Sequence, residues 1–206
     1  MNPPGPVLVV RHVILMTFAV AFIIPFVGIL LAAIEGGTGP VRFSIPEELT
    51  LSNFAEAWVQ GRFSQLLISS LIIAGLVVPF TILLATLAGF ALAIMQPAGH
   101  QRVTTAFVIG LTLPTELVVI ALYFILDSVS LTNNYFGIAL AEIALFLPFG
   151  VFWMSTFMRS FPKEIVESGQ IDGATDRRIL RSLILPNSAP AITTMAVLLF
   201  VWAWNQ

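Results

Sequence analysis

RSFPKEIVESGQIDGATDRRILRSLILPNSAP, residues 159–190, is the longest polar and charged stretch in an otherwise apolar chain. Apolar runs long enough to cross a bilayer flank it on both sides. Its residues read as two short helices with a bend between them. Pro162 suits a first helical turn, where its missing N–H costs little, and Ser160 stands where it can cap that turn. Glu164 and Glu167 then fall in early turns, where the helix dipole favours anions. Gly169 and Gly173 can loosen or end the segment, with Gly173 able to supply a positive φ at a turn beside Asp172. A second helical stretch starts near Asp176, carries Arg177, Arg178 and Arg181, and is expected to stop before Pro186. A charged helix-turn-helix is more than a minimal connector between membrane segments needs. It is built to meet something in water.

Composition places that hairpin in a membrane protein. Hydrophobic residues make up 58% of the chain and charged ones 10%, with a mean hydropathy of +0.97. A soluble domain carries about 25% charged residues. The fold class is therefore an all-α integral membrane protein. There is no cysteine, which excludes disulfides and thiol chemistry. His12 and His100 lie far apart, so no metal site is expected. No continuous basic patch occurs, so nucleic acid is not an expected partner. Neither a Walker-type glycine loop nor an H-E-x-x-H pair is present, so neither ATP binding nor zinc peptidase chemistry is supported. No cofactor is expected, and no catalytic constellation marks an enzyme.

The apolar runs predict a single transmembrane domain, residues 1–206, with about five spans near 12–34, 66–95, 105–126, 137–158 and 189–206. The first exceeds a signal-peptide core of roughly 7–15 residues and matches the ~20 needed to span. It reads as an uncleaved anchor, with Ala32-Ala33 leaving cleavage as the alternative. The second is longer than a bilayer requires, which implies tilt or projection. Residues 35–64 form a polar loop with a short helix near Ser52 to Trp58, and residues 96–104 and 127–136 form short loops. The fifth run stops inside what should be a continuing helix, so a fragment is the expectation and a short terminal helix the alternative.

Basic residues set the orientation. With the N-terminus in the cytoplasm, Arg11, Arg102, Arg159, Lys163, Arg177, Arg178 and Arg181 are inside, and Arg42 and Arg62 are outside. Seven plus two accounts for all nine basic residues. The hairpin, residues 159–188, is then cytoplasmic.

Glu167-Ser168-Gly169, Ile171-Asp172-Gly173-Ala174 and Ile184-Leu185-Pro186 together resemble the "EAA" loop of the membrane subunits of bacterial ABC importers. The I-D-G-A form resembles the carbohydrate, maltose-type branch. Pro46 to Trp58, Leu147-Pro148-Phe149 and Trp204-Asn205 extend the resemblance over most of the chain. Ser168 and Gly169 replace the family's two alanines. Both are small, so close approach of a partner survives, but Gly169 weakens the helix by roughly 1 kcal/mol relative to Ala.

The resemblance implies a permease of six spans in a bacterial plasma (inner) membrane, carrying a sugar or oligosaccharide. It implies a second homologous permease, two cytoplasmic ATP-binding subunits and an extracytoplasmic solute-binding protein as partners. Residues Glu164, Glu167, Ser168, Gly169, Asp172, Gly173, Ala174, Leu185 and Pro186 would form the coupling loop that docks on the ATPase. The competing reading is a solvated amphipathic hairpin lying on the membrane surface.

Two carboxylates fall inside predicted spans. An ionisable group at membrane depth costs at least ~2.5 kcal/mol, so it should face a cavity or a partner. Glu116 is eleven residues into a run starting at Thr105, about 16 Å at 1.5 Å per residue, which is near the bilayer midplane. Pro114 can kink that helix. Glu142 is shallower, near the outer face. Both could accept hydrogen bonds from sugar hydroxyls along a path, or be protonated or bonded to a neighbouring helix. Trp204 and Asn205, with Trp202, could stack on and bond to a sugar, or anchor the chain in lipid. Ala85, Gly89 and Ala93 line one helix face with small residues, as close helix packing requires. Phe43 to Trp58, with Glu47, Glu48 and Glu56, could meet the solute-binding protein or be a solvated loop.

Other classes remain open at this stage. A proton-coupled secondary transporter could use Glu116, a non-transporting scaffold would use neither carboxylate, and an importer's cargo could be a polyol or a glycerol phosphate derivative.

Overall fold

A computed structural model describes residues 5–36 and 48–205. Arg42, Glu47 and the Phe43 end of the outer segment lie outside the described residues, as does Gln206. The regular elements among the described residues are all helices, apart from one isolated bridge between Glu35 and Leu49. The chain divides into two compact units between Leu66 and Leu67.

The first unit holds α1 (Gly5–Ile34) and α2 (Ser52–Gln60). α1 begins ahead of the expected His12 and is apolar on all sides, the pattern of a membrane helix. Its end leaves orphan carbonyls. Asn53 answers them, its Nδ2 donating to Ala33 O at 3.2 Å and Glu35 O at 2.8 Å. Trp58 at the end of α2 stacks on Phe63 at 5.6 Å and donates to Ser64 Oγ at 3.0 Å.

The second unit is a helical bundle. α3 (Phe63–Phe90) extends through a π-helical turn, Ala91–Met95. α4 (His100–Gly110), α5 (Thr115–Ser128) and α6 (Tyr135–Arg159) follow. α7 (Lys163–Ile171), α8 (Asp176–Ile179), a second π-helical turn (Leu180–Ile184) and α9 (Leu185–Asn187) make up the polar hairpin. α10 (Ala189–Trp204) completes the unit.

α3 and α6 set the architecture. The Ser69 and Tyr135 hydroxyls are 2.9 Å apart. A Cβ on Gly150 would lie 2.8 Å from Ala85 Cβ, and one on Gly89 would lie 2.8 Å from Met154 Cβ. The residue offsets are 135 − 69 = 66, 150 − 85 = 65 and 154 − 89 = 65. A constant offset means the helices run parallel, so the chain between them must return across the bundle. The small-residue stripe expected on the second span is this contact, with Ala85, Gly89 and Ala93 all buried. α10 packs antiparallel on α6, with Trp153 Nε1 donating to Ala191 O at 3.0 Å and the Trp202 ring 4.8 Å from Phe149. Met154, Met158, Met195 and Leu199 fill the core between these helices.

The return is where expectation and structure differ. Residues 105–126 are not one continuous helix. α4 starts earlier, at His100, and is bent by 103° from α5. Pro25, Pro79 and Pro148 sit inside unbroken helices, whereas Pro114 caps α5 in extended conformation. Three helices are long and apolar enough to cross a membrane, and up to five spans result if each bent pair counts as one. The second bent pair joins Asp176–Asn187 to Ala189–Trp204 at 72°.

The second hairpin helix likewise does not stop before Pro186. It continues through Asn187, because the π-helical turn ahead of Pro186 widens the helix where the ring would otherwise clash.

Gly89→Val should lower the thermal midpoint of the detergent-purified protein, since overpacking costs about 1–3 kcal/mol. Gly75→Ala, where a Cβ meets nothing within 4 Å, should leave it unchanged. Equal midpoints for the two variants would refute the close contact.

Candidate functional site

The hairpin is held by backbone chemistry. Ala174 N donates to Gly169 O at 2.9 Å and Gly173 N to Gln170 O at 3.0 Å. This is the paired closure of a Schellman motif, and it needs a left-handed residue at Gly173, whose φ is +74°. Nothing lies within 4 Å of a Cβ there, so conformation and not space demands the glycine.

Gly169 plays a different part from the one expected. It does not end α7. It sits within the helix, where a Cβ would come 3.1 Å from Leu183 Cδ1 and 3.7 Å from Ile179 Cγ1. The close approach is therefore to the chain's own second hairpin helix. Ser160 is not the cap of α7 either. Its hydroxyl donates back to Phe157 O at 2.6 Å and closes α6, while Pro162 takes the cap position.

Val166 and Gly169 turn inward, and Ala174 and Leu185 are half-buried. Glu164, Glu167, Ser168, Asp172 and Gly173 share the exposed side, as does Pro186 in the second helix. Ile171, which opens the I-D-G-A motif but is not among the expected docking residues, is 85% exposed at the end of α7. Its signal was there to read: a large aliphatic residue between Gln170 and Asp172 in a polar hairpin.

The membrane residues divide. The break between α4 and α5 lies midway along α6, since a Cβ on Gly110 would come 3.2 Å from Pro148 Cγ. Glu116 stands in the first turn of α5, just past that break, where the helix dipole favours a carboxylate. Its depth follows from the break and not from counting along one helix. Residues 111–117 are all exposed on the chain.

Glu142 is closed in, 5% exposed, with its Oε2 lacking a hydrogen-bond partner. Burial between helices takes it off any open path surface of this chain. Trp204 stacks on Phe200 of its own helix at 5.5 Å, and Asn205 Nδ2 donates to Val201 O at 2.8 Å. The α6–α10 register carries Asn205 toward the level of Glu142, while Glu116 belongs to a separate surface.

Residues 85–206, more than half the chain and including the hairpin, match the model of the binding-protein-dependent transport system inner membrane component family. The chain belongs to that family. Among relatives of this transport family, the diacetylchitobiose uptake system permease protein NgcG of Streptomyces coelicolor is 29% identical over 200 residues, covering 96% of this chain and 66% of the relative. The alpha-glucoside transport system permease protein AglG of Rhizobium meliloti is 33% identical over 181 residues, covering 84% of this chain and 47% of the relative. The chain thus spans less than two thirds of the length of either. The fold matches a chain in the crystal structure of a bacterial ABC transporter involved in the import of the acidic polysaccharide alginate. That match has a TM-score of 0.74 at 20% identity and covers 100% of this chain and 74% of the other.

Gly173→Val should strain the left-handed turn by roughly 1–2 kcal/mol and speed hydrogen exchange across residues 163–180. Gly173→Asn should preserve most of the protection, because Asn tolerates this conformation. Unchanged exchange in the valine variant would remove the turn from the account.

Proposed function

We propose that this chain is the permease subunit of an ATP-driven importer for a sugar or oligosaccharide. The observation that carries the reading is the α7 surface. Its exposed carboxylates stand on a helix that lies against Ile179 and Leu183 at Gly169 and is joined to the next helix by the left-handed turn at Gly173. That second helix leads through α9 into α10, which is bent from it by 72° and apolar along its length.

A cytoplasmic ATPase gripping α7 would thus move α10 through the Gly169 approach and the Gly173 turn. ATP hydrolysis takes place on that separate subunit, present in two copies. Glu167 meets a basic group on the ATPase, and Ile171 enters an apolar recess beside it. A second homologous permease completes the path, and a solute-binding protein delivers cargo from outside. The N-terminus is cytoplasmic in the bacterial plasma membrane, as the seven-to-two distribution of basic residues supports.

The path follows the exposed break at residues 111–117. Glu116 accepts hydrogen bonds from sugar hydroxyls there, while Trp204 and Asn205 offer a second contact from a separate surface. Glu142 supports the wall from behind. The relatives named for diacetylchitobiose and alpha-glucoside support a carbohydrate cargo.

In proteoliposomes holding the complete transporter, Glu167→Lys should lower ATP-dependent uptake about ten-fold or more, since losing a buried charged contact costs at least ~2 kcal/mol. Glu116→Gln should lower uptake while leaving ATPase assembly intact. Wild-type uptake in both variants, or uptake that persists without ATP, would count against the proposal.

A further inference from the structure

At the end of the bundle where α3 and α6 finish, two adjoining clefts open. The first, about 450 Å³, is lined by Ala93, Gln96, Met158, Arg159, Lys163 and Gln170 among others. The second, about 380 Å³, has Gln96, His100, Gln101, Thr104 and Thr105 in its wall and shares Arg159 with the first. Both volumes fall within the range of small-molecule sites, about 300–1,000 Å³.

The composition of the clefts is amphipathic. The floor is apolar and built from buried residues: Leu92, Ala93, Met158 and Val166. The rim is rich in hydrogen-bond donors, with the guanidinium of Arg159 and the ammonium of Lys163 as fixed cations. Glu167 is the single carboxylate in the lining. Gln96 is held at the rim in a left-handed conformation, φ +47°, with its amide donating to Ala93 O at 3.0 Å.

Position decides what such a cleft can hold. It lies where two long apolar helices end together, at Met95 and Arg159, which is the level of the lipid phosphates. Basic pockets between membrane helices at this depth take anionic head groups. The apolar floor suits the glycerol and the first methylenes of an acyl chain, and the rim suits a phosphodiester.

We infer that the clefts around Arg159 bind the phosphate of an anionic phospholipid, with Arg159 bridging the two chambers and Lys163 and Gln96 completing the donor set. The lipid then wedges between α3 and α7. Its presence ties the position of the hairpin to the composition of the membrane. The inference needs only that α3 and α6 end at the same membrane surface, not which side that surface faces.

The test is native mass spectrometry of the protein released from nanodiscs of mixed phosphatidylglycerol and phosphatidylcholine. The wild-type protein should retain phosphatidylglycerol in preference to phosphatidylcholine. Arg159→Gln with Lys163→Gln should lower that retention roughly 10- to 30-fold. The charge-keeping pair Arg159→Lys and Lys163→Arg, which guards against a folding defect, should restore most of it. Soluble glycerol phosphate, offered at the same concentration, should not compete. Equal retention in the glutamine variant, or no preference between the two lipids, would overturn the site. Full competition by glycerol phosphate would overturn its assignment to a lipid.

Discussion

The close contact between α3 and α6 constrains everything else in the bundle. Glycine and alanine at Gly89, Ala85 and Gly150 let the two backbones approach to distances that a Cβ would forbid. Within a membrane there is little hydrophobic force between helices, so close van der Waals packing of small residues takes its place. Because the pairing is parallel, residues 96–134 have to travel back along the bundle, and α4 and α5 do so with a break. Parallel packing also brings the C-terminal ends of α3 and α6 to one surface. The polar hairpin and the basic clefts both grow from that surface.

The hairpin's design follows from two glycines with opposite jobs. Gly173 is required by its backbone conformation and has empty space around it. Gly169 has ordinary helical geometry, and a Cβ there would ask Leu183 Cδ1 to give by a few tenths of an ångström. Together they fold α7 back against the second hairpin helix with its carboxylates outward. The proposed coupling role rests on that arrangement and on the continuity of the second hairpin helix with α10.

Much of this was legible in the sequence where chemistry is local. Gly173 beside Asp172 announced its turn, and the spacing of Ala85, Gly89 and Ala93 announced a packing face. Basic residues at the ends of apolar runs located the hairpin relative to them. What stayed hidden depends on tertiary context. Pro114 marked a kink in the run from Thr105 to Leu126, but hydropathy carries no information about backbone direction, so the size of the bend, 103°, was not legible. Of the five prolines in the apolar runs, Pro25, Pro79 and Pro148 lie inside helices, while Pro114 and Pro190 stand at the starts of α5 and α10. Glu142 looked like its neighbour Glu116 in composition. One is enclosed by packed helices and the other sits at an open break, a difference set by which face each helix turns inward.

The absence of cysteine makes one measurement unusually direct. Single cysteines placed at Ala98, Asp172 and Asn133 can be probed in intact cells with a membrane-impermeant maleimide, each in an otherwise thiol-free chain. The parallel arrangement, with the hairpin facing the cytoplasm, predicts labelling at position 133 alone until the membrane is permeabilised, when 98 and 172 react as well. Labelling of 98 and 172 from opposite sides would contradict the parallel pairing of α3 and α6, and labelling of 172 from outside would contradict the proposed grip by a cytoplasmic ATPase.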